Sequence, residues 1–374
     1  MVEAKHRDTW IEISKRDVQK NVQLIREKTH ASTIFFTVKA NAYGYGLLQM
    51  AKACAEADVE GFACGALDEG LLLRENGYKQ LVLMLGITPA KYAKLMAEND
   101  IISTVSSVEW LLDAHEYLLA NGTTSKLKVS LAADTGMGRI GFTNRTCLEN
   151  AINFLLKHQN SFEYLGINTH FSEADSVETD YFHMQLARWH KLTDGLPMPP
   201  LVHVANSGAA IYHTNHVPTD TLRIGTGILG MEPSEGTVMP DDYLAPVISL
   251  HSRLTFVKHL PAGEGISYAH EYTTQTDEWI GTLPIGYGDG WLNAMTGFQV
   301  LVGGEWAEIV GKIAMDQMMI RMPHEFPVGE KVTLIGTQGT HTITLSNASK
   351  HAKLPPWEFT SGFQDRIHRV LVVV

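Results

Sequence analysis

Short apolar runs alternate with amphipathic, charge-bearing stretches through the first two-thirds of the chain. The apolar runs predict eight buried β-strands, at Thr33–Val38, Gly61–Gly65, Leu81–Leu85, Ile102–Ser106, Leu127–Ala133, Tyr164–His170, Leu201–Ala205 and Thr221–Ile224. The stretches beside them have helical periodicity, at Asp17–Lys28, Leu47–Ala57, Asp68–Glu75, Ser107–Ala120, Thr146–His158 and Asp180–Leu192. Strands that alternate with helices in this way predict an α/β unit folded as a (β/α)8 barrel. Its eighth helix has the weakest support, since Pro233 and Gly236 follow soon after the last strand.

From about Pro246 onwards, strand-like runs are separated by glycine-rich turns, with no long helical stretch among them. These runs are Val247–Val257, Trp279–Thr282, Gln299–Val302, Glu305–Val310, Gln317–Arg321, Lys331–Ile335 and Arg369–Val374. They predict a mostly β second domain, to which Thr9–Ile13 could add a strand. We therefore expect a barrel over residues 12–243 and a β domain formed by residues 1–11 and 244–374.

Composition narrows the classes of function. The chain has 374 residues, 44% of them hydrophobic and 19% charged, which is typical of a globular protein with two domains. Its formal charge of 30 − 41 = −11 makes a nucleic-acid partner or an anionic membrane surface unfavourable. The three cysteines have no metal-type or disulfide spacing, no H-E-x-x-H motif occurs, and the charged segment 1–10 lacks an apolar signal region. We expect a cytoplasmic protein without a metal or a membrane span.

Lys39 is the most informative residue of the chain. It ends the first apolar run and is followed at once by a small-residue, glycine-bearing turn, so its amine should face the cavity above a barrel strand. An amine placed there loses hydration, which lowers its pKa and makes the neutral, nucleophilic form accessible. Such a lysine can bind an aldehyde cofactor covalently. The alternative is a lysine that ends a strand and extends into water.

The whole segment 37–46, T-V-K-A-N-A-Y-G-Y-G, resembles the cofactor-lysine motif A-V-x-K-A-N-A-Y-G-H-G of the alanine racemase family, with Tyr45 in place of the usual histidine. The resemblance extends over nearly the whole chain. It implies a pyridoxal 5'-phosphate (PLP) enzyme with a TIM-like barrel followed by a β domain, in which Lys39 carries the cofactor and also acts as a base.

Two predicted loops carry groups that could hold a phosphate. Asn206-Ser207-Gly208 follows the seventh strand and Gly225-Thr226-Gly227 the eighth, although helix capping and an ordinary turn would explain both. They resemble the family's H-x-x-N-S-G and V-R-x-G segments. The resemblance implies cofactor-binding roles for Asn206 and Arg223, with Arg223 facing the pyridine nitrogen. It also implies that the phosphate is held by four residues, Tyr43, Ser207, Gly225 and Thr226.

A second base is implied by Gly263–Tyr272, which resembles the family's G-x-x-V-S-Y-G-x-x-Y and makes Tyr268 the proton carrier opposite Lys39. Racemisation needs a group on each face of Cα. Lys39 would take the proton from the D-isomer and Tyr268 from the L-isomer. A free tyrosine ionises near pH ~10, so the site must favour the phenolate. His170, in a segment that resembles T-H-F-x-x-A-D, would join Arg223 in the network that does so.

The resemblance also implies a homodimer in which Tyr268 of the β domain reaches the partner's barrel. Met315-Asp316-Gln317 is similar to the family's C-M-D-Q, and 284–290 is similar to P-x-G-Y-x-D-G. Met315 would then offer its backbone N–H to the substrate carboxylate, and Tyr287 would narrow the entrance.

Two positions depart from the family pattern. Asp134–Gly141 closely matches D-T-G-M-G-R-x-G, so Arg139 should contact the cofactor's phenolic oxygen or the substrate carboxylate. Many relatives orient this arginine with a carbamylated lysine, but Ala132 stands at that position here, and we expect a small anion such as chloride to replace it. Trp357 stands where the family usually has a phosphate-binding tyrosine, and an indole can only donate through its N–H. We expect weaker cofactor retention.

Other functions are less consistent with these motifs. Gly225–Gly230 fits the dinucleotide fingerprint G-x-G-x-x-G, but no long helix is predicted after it. A decarboxylase of basic amino acids or a non-catalytic cofactor carrier would not need two bases. A broad-specificity or serine racemase stays open, because pocket shape separates small side chains by only ~1–3 kcal/mol. The sequence therefore predicts a racemase that interconverts L- and D-alanine and supplies D-alanine for cell-wall precursors.

Overall fold

The computed structural model describes residues 2–217 and 219–373, and contacts divide them into two compact units. The barrel unit comprises residues 18–39, 51–217 and 219–244. The β unit comprises residues 2–17, 40–50 and 245–373. The chain passes from one unit to the other directly after Lys39.

Eight parallel strands form the sheet of the barrel unit, and each of the first six pairs with the next along the chain. They are Thr33–Thr37, Gly61–Cys64, Leu81–Met84, Ile101–Val105, Leu127–Ala132, Phe162–Asn168, Leu201–His203 and Thr221–Ile224. The last strand pairs with the first, Thr33 with Thr221 through Phe36 with Ile224. Beside it, a single bridge between Ala205 and Leu222 joins the seventh strand's end to the eighth, so the sheet closes into a nearly complete barrel.

Helices connect these strands, and they confirm the predicted α/β barrel. They are Lys15–Thr29, Leu47–Glu56, Leu67–Glu75, Ala93–Glu98, Val108–Ala120, Arg145–Lys157, Asp180–Thr193 and Ser207–Tyr212, with a 3-10 turn at Ala90–Tyr92. No helix lies between Ile224 and Ile248 in the described chain, where the prediction was weakest. Two of these helices were not predicted, Ala93–Glu98 and Ser207–Tyr212. Ser207–Tyr212 is buried along five of its six residues, so its sequence has no polar face to reveal a helical period.

The barrel interior contains a cluster of buried side chains drawn from successive strands, namely Phe35, Ala63, Leu83 and Ile102. Gly61 makes room for the largest of them. A Cβ at Gly61 would lie 2.4 Å from the Phe35 ring, so a side chain there would have to displace the core.

The β unit contains a ten-stranded sheet. Its strands in spatial order are Phe256–Leu260, Glu278–Leu283, Met318–Met322, Glu305–Val310, Gln299–Val302, Lys331–Gln338, Ile248–Arg253, Thr9–Ser14 and His368–Val372, with His341–Ile343 beside Lys331–Gln338. A two-stranded ribbon, Gly265–Ile266 with Tyr272–Thr273, lies apart from this sheet. The mostly β character predicted for this region is confirmed.

Thr9–Ser14 forms the strand that the sequence predicted for the start of the chain. It pairs antiparallel with Ile248–Arg253 and parallel with His368–Val372, and its residues alternate between buried and half-buried positions. The predicted run Val247–Val257 is two strands. It breaks because the Leu254 N–H donates to the Glu330 carbonyl and the Thr255 N–H to the Thr282 carbonyl.

Short helices complete the β unit, at Leu345–Ala352 and Pro356–Ser361, with 3-10 turns at Tyr268–His270, Tyr287–Asp289 and Asn293–Met295. A cluster of Ile266, Ile280 and Val310 packs between the ribbon and the sheet. Across residues 2–217 and 219–373, no helix combines the length and the apolar character that crossing a bilayer requires.

Candidate active site

Lys39 lies two residues beyond the first barrel strand, at its carboxyl end, and is half-buried. Gly65 follows the second strand and leaves room for it, since a Cβ at Gly65 would lie 3.1 Å from the Lys39 Cβ. Burial is the main cause that lowers the pKa of the Lys39 amine. The Arg139 charge lowers this pKa further, and the Glu69 carboxylate partly opposes both. The direction predicted from the sequence is therefore confirmed, and the neutral amine is more accessible than that of an exposed lysine.

Arg223 lies in the eighth strand and is 6% exposed. Its Nη1 donates to the His203 carbonyl and, at 2.9 Å, to His203 Nδ1. Its Nη2 donates to the Thr169 carbonyl at 2.7 Å and to His170 Nδ1 at 3.3 Å. Burial and the Arg139 charge lower the pKa of Arg223 to about 10, so it stays cationic at neutral pH. Within the described chain, no carboxylate pairs with it and its Nε–H has no acceptor.

His170 and His203 are held neutral beside this cation. Burial, then the charges of Arg223, Arg139 and Lys39, lower the pKa of His170 to about 3. Burial and Arg223 also hold the pKa of His203 well below its usual range. Because both Nδ1 atoms accept from Arg223, the proton of His203 is assigned to Nε2, which lies 3.0 Å from Ser130 Oγ.

The Ser207 hydroxyl accepts hydrogen bonds from the backbone of the loop after the eighth strand. Its Oγ accepts from the Gly225 N–H at 3.2 Å and from the Gly227 N–H at 3.3 Å. Thr226 lies between these glycines and is half-buried. Because Ser207 Oγ only accepts in these two bonds, its hydroxyl keeps a hydrogen to donate. With Thr226 it forms a polar cradle at the carboxyl ends of the last two strands, of a kind that can hold a phosphate.

Asn206 has a capping role. Its Oδ1 accepts from the Ala209 N–H at 2.9 Å at the start of helix Ser207–Tyr212, and its Nδ2 donates to the Phe171 carbonyl at 2.9 Å. The capping alternative considered for this residue is therefore what the structure contains. Asn206 fixes the loop in which Ser207 lies.

Arg139 lies in the loop after the fifth strand and is exposed. It makes no hydrogen bond or ion pair within residues 2–217 and 219–373. Its charge nevertheless lowers the pKa values of Lys39, His170 and Arg223, so the barrel unit brings these four residues together. Ala132 is buried and offers no group that could orient the guanidinium.

A left-handed turn begins immediately after Lys39. Residues 40–43 have φ of 53°, 54°, 51° and 55°, and none of them is glycine. A left-handed helical conformation costs ~1–2 kcal/mol for each such residue. Other parts of the β unit must therefore stabilise the turn.

Arg369 supplies part of that stabilisation. Its Nε donates to the Gly44 carbonyl at 2.9 Å, and its other nitrogens donate to carbonyls of segment 363–367. Asn41 contributes as well, because its Nδ2 donates to Asp365 Oδ1 and its Oδ1 accepts from the Leu47 N–H, both at 2.7 Å. Burial raises the pKa of Tyr43 in this turn to about 12, so its hydroxyl keeps its proton and can donate.

The remaining predicted site residues lie in the β unit, and three of the four are exposed. Tyr268, Met315 and Tyr287 are 68%, 53% and 43% exposed, and Trp357 is half-buried on helix Pro356–Ser361. The Tyr287 N–H donates to the Ala314 carbonyl at 3.0 Å, so the Tyr287 and Met315 segments are held together.

Sequence reasoning assigned no role to His203 or Glu69, although both belong to the site. His203 was part of a quoted motif, and its only further signal was its position at a strand end. Glu69 accepts from the N–H groups of Gly65 and Ala66 at 2.8 and 3.1 Å, which fixes the loop against Lys39. An acidic residue in the first turn of a helix was its only sequence signal.

Comparison with known protein families accounts for almost the whole chain. Residues 13–233 match the model of the alanine racemase N-terminal domain, and residues 247–371 match that of the C-terminal domain. The chain belongs to the alanine racemase family. It is therefore an isomerase, and its fold is the barrel followed by a strand-rich domain that characterises the family.

Relatives within this family differ in the amino acid for which they are named. A lysine racemase of Oenococcus oeni is 48% identical over 374 residues, covering all of both chains. An alanine racemase of Lactiplantibacillus plantarum is 41% identical over the same length and coverage. A structure of a histidine racemase from Leuconostoc mesenteroides subsp. sake superposes with a TM-score of 0.94 at 36% identity, covering 99% of each chain.

Proposed function

We propose that this protein interconverts L- and D-alanine with PLP as cofactor and two bases, Lys39 and Tyr268. The observation that carries the proposal is the grouping of an amine of lowered pKa with a buried arginine that has no carboxylate partner. Membership of the alanine racemase family supplies the reaction class. Supply of D-alanine for cell-wall precursors, in the cytoplasm, is the role that fits this reaction.

The residues of the barrel unit fit PLP. The available Arg223 Nε–H suits a ring nitrogen as acceptor, and the cradle around Ser207, Gly225 and Thr226 suits a phosphate. Tyr43, whose phenol stays protonated, is the proposed fourth phosphate donor. When bound, PLP supplies an aldehyde that joins to amines and a ring that withdraws electrons from the amino-acid Cα.

Lys39 and Tyr268 divide the proton transfer between them. We assign to the Lys39 Nζ the proton on one face of Cα, because burial favours its neutral, basic form. We assign to the Tyr268 hydroxyl the proton on the other face. The cation of Arg223 and the neutral ring of His170 form the network that would favour the phenolate of the incoming tyrosine.

Arg223 also restricts the chemistry. A guanidinium keeps its own protons, so a ring nitrogen that accepts from it stays unprotonated. An unprotonated ring accepts less negative charge, which disfavours decarboxylation and transamination relative to simple proton return.

We propose a homodimer in which the β unit of each chain completes the partner's site. The exposure of Tyr268, Met315 and Tyr287 supports this, since a base that acts beside a desolvated cofactor must be covered by another surface. Tyr287 would narrow the entrance of the completed site. The Met315 N–H and Arg139 would bind the substrate carboxylate, with a small anion such as chloride beside Arg139.

A second candidate is a racemase of broad specificity, including one that acts on serine or on basic amino acids. The observation that favours it is the pair of relatives named for lysine and histidine. Alanine stays our first choice because alanine racemase is the family's own name and that of the Lactiplantibacillus plantarum relative.

Proton NMR of single amino acids in D2O, with purified protein and added PLP, tests the proposal. L-alanine should lose its Cα–H signal while D-alanine appears on chiral analysis of the same sample. Exchange without D-alanine would contradict the two-base assignment. Parallel samples of serine, lysine and histidine test the second candidate, the racemase of broad specificity. If any of them is converted faster than alanine, alanine is not the preferred substrate.

A further inference from the structure

We propose that one face of helix Asp180–Thr193, formed by Tyr181, Gln185 and Arg188, is a positioning element for Arg139. Gln185 is its central residue, because it joins the loop that carries Arg139 to the loop that carries His170. The inference rests on the proposed function only in treating Arg139 and His170 as site residues.

The three side chains lie on one face of the helix because they are four and three residues apart. All three reach the segment Asp134–Gly141, which we call the Arg139 loop. The Tyr181 hydroxyl donates to the Gly136 carbonyl at 2.8 Å, and Arg188 Nη1 donates to the Thr135 carbonyl at 3.3 Å. The helix therefore holds the second and third residues of this loop by their backbone.

Gly136 is the point at which the three side chains converge. A Cβ there would lie 3.1 Å from both Arg188 Nη1 and the Tyr181 hydroxyl and 3.3 Å from Gln185 Cγ. Gly136 also has φ of +141°, a conformation that side chains rarely adopt. Its N–H donates to Asp134 Oδ1 at 2.9 Å, so a local turn within the loop adds to the contacts from the helix.

Gln185 is fully buried and pairs both ends of its amide. Its Nε2 donates to Thr135 Oγ1 at 3.3 Å and to the His170 carbonyl at 3.0 Å. Its Oε1 accepts from the Ser172 N–H at 2.9 Å and from the Ser172 hydroxyl at 3.2 Å. One side chain thus joins the loop after the fifth strand to the loop after the sixth.

The chain of hydrogen bonds from Gln185 continues through Thr135 to the buried Arg223. Thr135 Oγ1 lies 2.8 Å from Thr169 Oγ1, and the Thr169 carbonyl accepts from Arg223 Nη2 at 2.7 Å. Both threonines are buried. Arg139 has no partner of its own within residues 2–217 and 219–373, so the loop backbone, and no side-chain bond, sets the point from which its guanidinium extends. Gln185 therefore acts on Lys39 indirectly, by fixing a neighbouring positive charge.

The first test is a double-mutant cycle between Gln185→Met and Arg139→Gln in the holoenzyme. Methionine has a similar length but removes all four hydrogen bonds. We expect Gln185→Met to lower kcat/KM by about 10- to 100-fold, since small misplacement of a substrate-binding group has effects of that size. In the Arg139→Gln background the same change should cost less than about twofold, because the positioned group is already missing. Equal costs in both backgrounds would overturn the proposal.

The second test needs no activity. In the full-length protein stripped of cofactor, the rate at which Lys39 reacts with an amine reagent is measured against pH. The charged groups that act on this amine are Arg139 and Glu69. Displacement of Arg139 in Gln185→Met should move the midpoint to higher pH, whereas an unchanged midpoint would contradict positioning through Arg139. This result does not depend on alanine turnover, so it separates failure of this inference from failure of the proposed function.

Thr193→Val is the matched control. Thr193 is buried on the same helix, and its hydroxyl donates only to the Trp189 carbonyl. The control should lower stability without moving the Lys39 midpoint. If Gln185→Met does not fold, Tyr181→Phe removes a single hydroxyl from the same face. It should shift the midpoint in the same direction by a smaller amount, and no shift would overturn the proposal.

Discussion

In the barrel unit, Arg223 and His203 are almost fully buried and are hydrogen-bonded to each other, and Arg223 also donates to strand-end carbonyls. In the β unit, by contrast, Tyr268 and Met315 expose more than half of their surface. The barrel groups are thus fixed by their own chain before any ligand or partner is present. The β-unit groups have no such fixed surroundings. The segment that carries Tyr268 is shaped by the backbone instead, as the positive φ at the neighbouring Ser267 illustrates.

The difference indicates a division of labour. The buried network sets charge and protonation states, which requires low dielectric and fixed dipoles. The exposed groups are suited to contact a second subunit, because a side chain that enters another subunit's site cannot also be held by hydrogen bonds and packing in its own. Changes at the buried groups of the barrel site should therefore alter protonation and stability together, and changes at the exposed site residues of the β unit should alter catalysis with little effect on folding.

Lys39→Ala should produce the largest loss. Without the amine, one face of Cα has no base and the cofactor has no covalent anchor, so we expect kcat/KM for alanine to fall by about 10³- to 10⁴-fold or more. Steady-state assays with added PLP provide the measurement. Lys52→Ala, at an exposed lysine of the next helix, should stay within about twofold of the parent. Residual activity above a tenth of the parent value would refute the role of Lys39.

Tyr268→Phe should reduce racemisation by about 10²- to 10³-fold and leave the fold intact, because the hydroxyl is exposed in its own chain. Deuterium uptake from D2O at Cα of D-alanine should continue, since Lys39 still serves that face. Tyr272→Phe is the matched control. Its hydroxyl donates to the Glu278 carboxylate within the β unit, so its loss should affect stability only. Simultaneous loss of exchange and racemisation in Tyr268→Phe would contradict separate bases.

Acid should destabilise the barrel unit through its neutral histidines. The folded pKa of His170 is about 3 and an unfolded histidine titrates near ~6.5, so the unfolded state binds more protons between these values. Stability therefore falls as the pH decreases from ~6.5 towards 3, by about 1.4 kcal/mol per pH unit for each such histidine. In His170→Asn this slope should be lower by that amount, measured by urea unfolding from pH 7 to 5.

His6→Asn is the control for the acid experiment, because His6 is exposed and makes no hydrogen bond or ion pair within residues 2–217 and 219–373. It should leave the slope unchanged. Equal slopes in the parent and in His170→Asn would show that His170 is not held neutral in the folded protein.

Trp357→Tyr should strengthen cofactor binding by about 3- to 10-fold, the value of one added hydrogen bond. The measurement is a PLP titration of the stripped protein followed by absorbance. Trp306→Tyr, at an exposed tryptophan of strand Glu305–Val310, should leave the dissociation constant unaltered. If the dissociation constant of PLP is the same in Trp357→Tyr as in the parent, the tryptophan at this position does not weaken cofactor binding.

Ala40→Gly should give the smallest effect, and a stabilising one. Ala40 is exposed with φ of 53°, and glycine removes the steric cost of that conformation while adding chain entropy to the unfolded state. We expect a net gain of about 0.5–1 kcal/mol in the free energy of unfolding. Ala120→Gly, at the end of a right-handed helix, should lose a comparable amount. A loss in both variants would mean that the turn is not strained.

The barrel could be predicted because parallel strands are buried on both faces and appear as continuous apolar runs. Leu81–Met84 and Thr221–Ile224 were placed within one residue of their observed ends. Helix Ser207–Tyr212 could not be predicted in this way, since burial on all sides removes the amphipathic signal. The turn after Lys39 was predicted, but its left-handed conformation was not, because alanine at residues 40 and 42 favours right-handed helix.

Part of the candidate site followed from the sequence by a physical argument. A lysine at the end of a buried strand should have a lowered pKa, and Lys39 does. The bonds of His203 to Arg223 and Ser130 depend on which side chains meet across the barrel, and spacing along one strand does not contain that information. The same holds for Gln185, which lies on a helix and joins two loops.

Strand Thr9–Ser14 precedes the whole barrel in the chain and pairs with two strands that follow it, Ile248–Arg253 and His368–Val372. At ~5–20 residues per second, a ribosome needs on the order of tens of seconds to deliver those partners. The β sheet can therefore form only after all eight barrel strands have been synthesised, and it joins segments of very large sequence separation, which slows folding. Removal of the terminal strand His368–Val372 would leave Thr9–Ser14 as an open sheet edge prone to aggregation.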